Sequence, residues 1–92
     1  MPTLERHIEA YALKRVRTAG GEIRKVKWIG RVGAPDRVVF INGVTWVEFK
    51  APGKYAEGHQ YREHARMRDM GARVRVIDSY EDVDRMMKDL GF

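Results

Sequence analysis

No cysteine occurs in the chain, which excludes disulfides, thiol catalysis and zinc sites built on thiolates. Histidine is scarce as well. His7, His59 and His64 are the only three, and their spacing does not suggest a zinc site. His59 and His64 stand five apart and share a helix face poorly, so surface or boundary positions are expected for all three. No apolar run approaches 18 residues, so no membrane span is expected. The opening Met1–Arg6 segment has no apolar stretch behind a basic one, so no secretory leader is expected, and cytoplasmic residence fits. The sequence also lacks internal repeats, linkers and low-complexity tracts.

What is present describes a small folded body. At 92 residues, with 43% hydrophobic and 34% charged residues, residues 1–92 are expected to form one domain with a modest core. Lys and Arg number 18 against 13 acids, a net charge of +5. Small basic proteins of this kind often meet a polyanion. There is no disordered basic tail, so any nucleic-acid surface must belong to the folded body. Arginine, the better bidentate phosphate binder, outnumbers lysine. Basic residues crowd between Arg15 and Arg31 and return at Arg62, Arg66, Arg68, Arg73 and Arg75. A solvated basic surface that keeps a small protein soluble accounts for the same count.

Periodicity predicts a helix over residues 4–19, with Thr3 as its cap and Leu4, Ile8, Ala12 and Val16 on one face. Gly20-Gly21 ends it. A strand is expected over 22–29, then a loop through Gly30, Gly33 and Pro35. Arg37–Ile41 and Val44–Phe49 read as strands joined by a hairpin at Asn42-Gly43. The second of them is apolar enough to be central in a sheet. A helix over 57–70, a strand over 72–77 and a last helix capped by Ser79 complete the order α-β-β-β-α-β-α. Val83, Met86, Met87 and Leu90 are the expected buried stripe of that helix. The hairpin forces antiparallel pairing, and the middle helix permits a parallel crossover. The fold class is therefore α/β, a mixed sheet flanked by helices. Trp28, Trp46 and Met70 are expected to pack in the core rather than at an interface between subunits.

Several acids sit where a fold should not need them. Glu48 and Lys50 are two apart in a strand and share one face, with Trp46 beside them. Charges near the end of an otherwise apolar strand are costly unless paired or metal-bound. An exposed ion pair accounts for them equally well on composition alone. The hairpin brings Asp36 beside Lys50, with Glu48 about a residue further in. Two carboxylates converging with a lysine suit Mg²⁺, which prefers hard oxygen ligands. The lysine can orient a water or steady charge on a phosphate. Asp36 can equally be a turn acid bonded to loop amides. Glu9 lies on the flank of the first helix's apolar stripe, from where it can reach the same place or turn out to solvent. Gln60 opens the second helix and can bond a water or phosphate, or simply be solvated. Lys54 and Arg62 can touch a substrate backbone.

Glu9, then Gly33-Ala34-Pro35-Asp36, then Glu48-Phe49-Lys50, then Gln60 together resemble the VRR-NUC family of the PD-(D/E)XK nuclease superfamily. The approach from Arg31 to Arg37, the stretch Val47–Gly53 and the tail Gly71–Val83 extend the resemblance over about Ile8 to Leu90. The resemblance implies the restriction-endonuclease-like core. It implies Mg²⁺ or Mn²⁺ held by Asp36, Glu48 and the Phe49 carbonyl, with Glu9 completing the acidic site. Lys50 would position the attacking water, and Gln60 would support the site. The reaction implied is hydrolysis of DNA phosphodiester bonds. Stand-alone members of phage and bacterial type imply a homodimer acting on branched DNA such as four-way (Holliday) junctions, in the host cytoplasm if phage-encoded. Arg31, Arg37, Lys54 and Arg62 would contact the DNA.

Three other readings stay open at this stage. The same fold can act on flaps, nicked ends or plain duplex. A non-catalytic DNA-binding module is disfavoured by carboxylates placed next to phosphates. A small basic structural protein leaves the clustered motifs without a reason. A targeting partner is compatible with the nuclease reading.

Overall fold

Ile8, Ala12 and Val16 recur at helical spacing and are fully buried, which fixes the first helix, α1 (Glu5–Thr18), to the sheet by one stripe. The computed structural model describes residues 2–92. Leu4, not Thr3, is the residue that caps α1, without a side-chain cap bond. The helix begins one residue later than expected, and the Leu4 N–H instead donates to His7 Nδ1 at 3.2 Å.

Four strands follow the chain order across one sheet: β1 (Glu22–Lys25), β2 (Arg37–Phe40), β3 (Val44–Phe49) and β4 (Arg73–Ile77). β1–β2 and β2–β3 pair antiparallel, and β3–β4 pair parallel. The parallel step is bridged by α2 (Gly58–Asp69), and α3 (Tyr80–Asp89) closes the chain. The mixed sheet and the order α-β-β-β-α-β-α agree with expectation, and β3 is an interior strand.

Two differences from expectation bear on the site. β1 stops at Lys25 rather than running to residue 29. Trp28 leaves the ladder to donate its Nε1–H to the Pro35 carbonyl at 2.7 Å and to pack on Trp46, with ring centroids 5.1 Å apart. Both rings are half-buried. The hairpin turn has the positive φ expected of Asn42 (48°) and Gly43 (101°). However, the ladder ends at the Phe40–Val44 pair, so the connection is the three residues Ile41–Asn42–Gly43. That extra residue moves the register by one.

Alternation along the strands divides the core. Val39, Val47, Phe49 and Ile77 face α1 and α3, where Val83, Met86, Met87 and Leu90 are buried as expected. The opposite face carries the row Arg24–Val38–Trp46–Val74, and on this sheet α2 packs against β4 with Met67 and His64 buried. Met70, expected in the core, is exposed where α2 ends. Ser79 caps α3 by accepting from the Asp82 N–H at 3.0 Å, as its spacing predicts. No helix among the described residues is long and apolar enough to cross a membrane.

Candidate active site

The shifted register decides which carboxylates meet. One step beyond the Arg37–Val47 pair, Asp36 stands opposite Glu48, and Glu48 pairs on its other side with Val76. Asp36 therefore faces Glu48 directly, whereas a two-residue turn would set it opposite Phe49, next to the expected neighbour Lys50. Lys50 follows two residues on, at the mouth of the same strand face, with its N–H donating to the Ile77 carbonyl at 2.9 Å. The Phe49 side chain is buried in the core, so only its main chain is available to the site.

Glu48 is half-buried, and burial pushes its carboxyl up from the ordinary 4.5 to about 7. The charge of Asp36 opposite pushes in the same direction, and Glu5 adds to it. Lys50 and Arg37 offset this only in part. Two facing carboxylates match the one or two that Mg²⁺ takes from a protein, the rest of its shell being water and phosphate oxygen. The residues present fit such an ion. Among the described residues, however, no group of three or more acids and histidines is gathered to hold one.

Glu9 is the acid that stays apart. Its Oε1 accepts from Arg37 Nε at 2.6 Å, and Arg37 NH1 in turn lies 3.2 Å from Asp36 Oδ2. Arg37, only 13% exposed at its side chain, is thus an inward brace between the two acids rather than an outward-facing cation. Glu5, one helical turn before Glu9, is the α1 acid that Glu48 feels. Sequence reading passed over it, although its i, i+4 spacing from Glu9 was a usable signal.

The loop before Asp36 is seated on α2. A Cβ at Gly33 (φ +86°) would lie 2.6 Å from the His59 carbonyl oxygen and 3.0 Å from Gln60 Cα. Gly33→Ala is therefore expected to cost about 1–3 kcal/mol through strain and clash, read as a lower midpoint in denaturant melts. Gln60 sits beside this loop, and its Oε1 accepts from the Glu57 N–H at 2.9 Å, capping its own helix. His64, one turn further, is 1% exposed and its Nε2 has no partner. Burial, then Arg68, lowers its pKa, and Lys50 adds to that, so the ring is neutral near pH 7. It is a core residue, not the surface or boundary one expected. Its place on the Gln60–His64–Met67 stripe was the signal available.

No family model matches the chain. The p44 protein of Acyrthosiphon pisum secondary endosymbiont phage 1, which is described as a nuclease, is 43% identical over 79 residues, spanning 84% of this chain and 85% of its own. A solved VRR-NUC domain superposes with a TM-score of 0.81 at 38% identity, covering 91% of this chain and 94% of that one. The chain belongs to the VRR-NUC family.

This VRR-NUC domain is therefore a nuclease domain of the PD-(D/E)XK type, and its fold matches one. Beside Asp36 the domain opens a groove of about 520 Å³, lined by Lys25, Lys27, Trp28, Arg31 and Gly33 among others. Arg31 is exposed there, 3.7 Å from the buried Glu63. Lys25 and Lys27 were not singled out in the sequence, where they were part of a general basic run. Lys54 lies elsewhere, on a second cavity of about 470 Å³ with Tyr61, His64, Arg68 and Asp78. Arg62 is exposed on α2. Of the four cations expected to meet DNA, only Arg31 shares the groove of Asp36.

Proposed function

We propose that this VRR-NUC domain is a divalent-metal-dependent endonuclease that hydrolyses DNA phosphodiester bonds, with branched DNA such as four-way junctions as its substrate. The observation that carries this reading is the facing pair Asp36 and Glu48, with Lys50 on the same strand face and the Glu48 proton held up to about pH 7. Asp36 and Glu48 would hold Mg²⁺ or Mn²⁺, with the Phe49 carbonyl as a main-chain donor. When bound, the ion supplies Lewis acidity at the scissile phosphate and lowers the pKa of water.

The other steps belong to side chains. Glu48 gives up its proton on loading. The Lys50 ammonium orients the attacking water and places positive charge where the phosphate gains negative charge. Arg37, held by Glu9, keeps Asp36 in place, so Glu9 acts through Arg37. Gln60 fixes the start of α2, on which the Asp36 loop rests. Lys25, Lys27 and Arg31 draw the DNA backbone into the groove, and Lys54 and Arg62 extend the basic surface beyond it. A body this small has little surface beyond the groove. Two copies related by a two-fold axis would supply paired sites for a symmetric junction.

The test is a panel of end-labelled four-way junction, flap, single strand and plain duplex, each in Mg²⁺, in Mn²⁺ and in EDTA. Metal-dependent cutting, strongest on the junction, is the expected result. Binding to every substrate with no cutting in either metal would make the chain a DNA-binding module instead.

A further inference from the structure

The connection between β1 and β2 carries two aliphatic side chains that folding leaves in water. Ile29 is 93% exposed and Val32 is 75% exposed. Each forgoes the stabilisation that burial of an aliphatic side chain would contribute. The loop that holds them is nonetheless anchored on several sides. Trp28 is bonded to Pro35 and packed on Trp46. Gly33 rests on the backbone of His59 and Gln60. Arg31 lies 3.7 Å from Glu63. Gly30 (φ +78°) and Gly33 (φ +86°) supply the left-handed turns on either side of Arg31-Val32. The stem is ordered before any partner arrives, and the tip is apolar.

The charges around the tip are mostly of one sign. Lys25, Lys27 and Arg31 line the adjoining groove, with Asp36 as its acid. A second copy of this chain docking loop against loop would set these cations against each other. Two side chains also fall far short of the roughly 800 Å² per partner that a stable interface buries. DNA answers both features. Its phosphates match the cations, and its base faces offer an apolar surface once a stack is opened.

We infer that Ile29 and Val32 form a wedge that enters a base step of DNA lying in the Asp36 groove. This rests on the DNA reading above and adds how the substrate is chosen. Apolar side chains inserted between bases cost a few kcal/mol of unstacking per step. The cost is least where pairing or stacking is already weakened. Continuous duplex pays the whole of it, whereas a junction, flap or nick pays little. Preference for DNA shape then follows without any contact that reads sequence.

The test uses a four-way junction with 2-aminopurine at the branch, and the full chain carrying Lys50→Ala so that the DNA stays whole. The expected result is a rise in 2-aminopurine fluorescence on binding. Adding Ile29→Ser and Val32→Ser should remove that rise. It should also weaken junction binding at least tenfold, about 1.4 kcal/mol, with plain-duplex affinity and melting temperature unchanged. An equal fluorescence rise and equal junction preference in the serine variant would overturn the wedge. So would loss of self-association in sedimentation with DNA affinity intact, which would assign the loop to a protein interface. The two readings fail separately. An unmutated chain that never cuts but still unstacks the branch refutes the nuclease alone, and one that cuts without unstacking refutes the wedge alone.

Discussion

Lys50→Ala is expected to lower the cleavage rate by about 10²–10⁴-fold while leaving branched-DNA binding largely intact. Lys50 sits at the end of β3, outside the cores on either side of the sheet, so its loss removes charge rather than packing. The phosphate-binding cations of the groove, Lys25, Lys27 and Arg31, are untouched. Single-turnover cleavage and a binding titration on the same junction separate the two effects. Binding lost together with the melting transition would show a structural role instead. The substitution has a second signature. Lys50 is the first of the charges that hold the Glu48 carboxyl down. Without it, the Glu48 proton is held still more tightly, and metal should bind with a pH dependence displaced upwards. Lys50→Arg keeps the charge but spreads it over a planar fork, so it should restore the pH dependence more fully than the rate.

Glu48→Gln is expected to make the metal-free protein more stable at pH 8 and to abolish stabilisation by added Mg²⁺ or Mn²⁺. The folded carboxyl holds its proton to about pH 7, against an ordinary 4.5. Between those values the native state binds more protons than the unfolded chain, so this group's contribution falls as pH rises through the window. Above pH 7 both states are ionised and the full penalty remains. Partial exposure screens the charge, so the gain from glutamine is on the order of 1 kcal/mol, or roughly 4–8 °C in a domain of this size. Thermal melts of the two proteins at pH 5 and pH 8 check it, and the difference should shrink at the lower pH. Asp36→Asn removes the same repulsion from the opposite strand and should act in the same direction. A metal-free variant that melts below the unsubstituted protein at pH 8 would show that the carboxylate is held by bonds rather than strained by its neighbour.

Much of this was legible beforehand because local rules and global packing agree. Ile8, Ala12 and Val16 announce α1, and Asn42-Gly43 announces the hairpin. Ser79 followed by Asp82 announces α3, with the Met86 and Met87 stripe behind it. The closeness of the candidate carboxylates was legible too, since Asp36 and Glu48-Phe49-Lys50 flank that hairpin. What escaped is tertiary. A turn residue count of two or three is invisible in composition, yet it decides whether Asp36 faces Phe49 or Glu48. The choice between Glu5 and Glu9 depends on where α1 lies over the sheet, and Arg37 claims Glu9 only because β2 points it that way. The strand expected over 22–29 ends at Lys25, and Trp28 beyond it bonds Pro35 and packs on Trp46. His64 is buried because α2 turns the Gln60–Met67 stripe inward, which no spacing of histidines alone could reveal.

The tryptophan pair has a practical consequence. The chain contains two tryptophans, and both are in this one cluster, with Trp28 on the wall of the groove beside Asp36. The tryptophan emission of the protein therefore comes from a single place, at the rim of the proposed reaction centre. Nucleic acid entering that groove changes the surroundings of Trp28 first, so unlabelled protein carries its own optical gauge of occupancy, and unfolding is reported by the same signal.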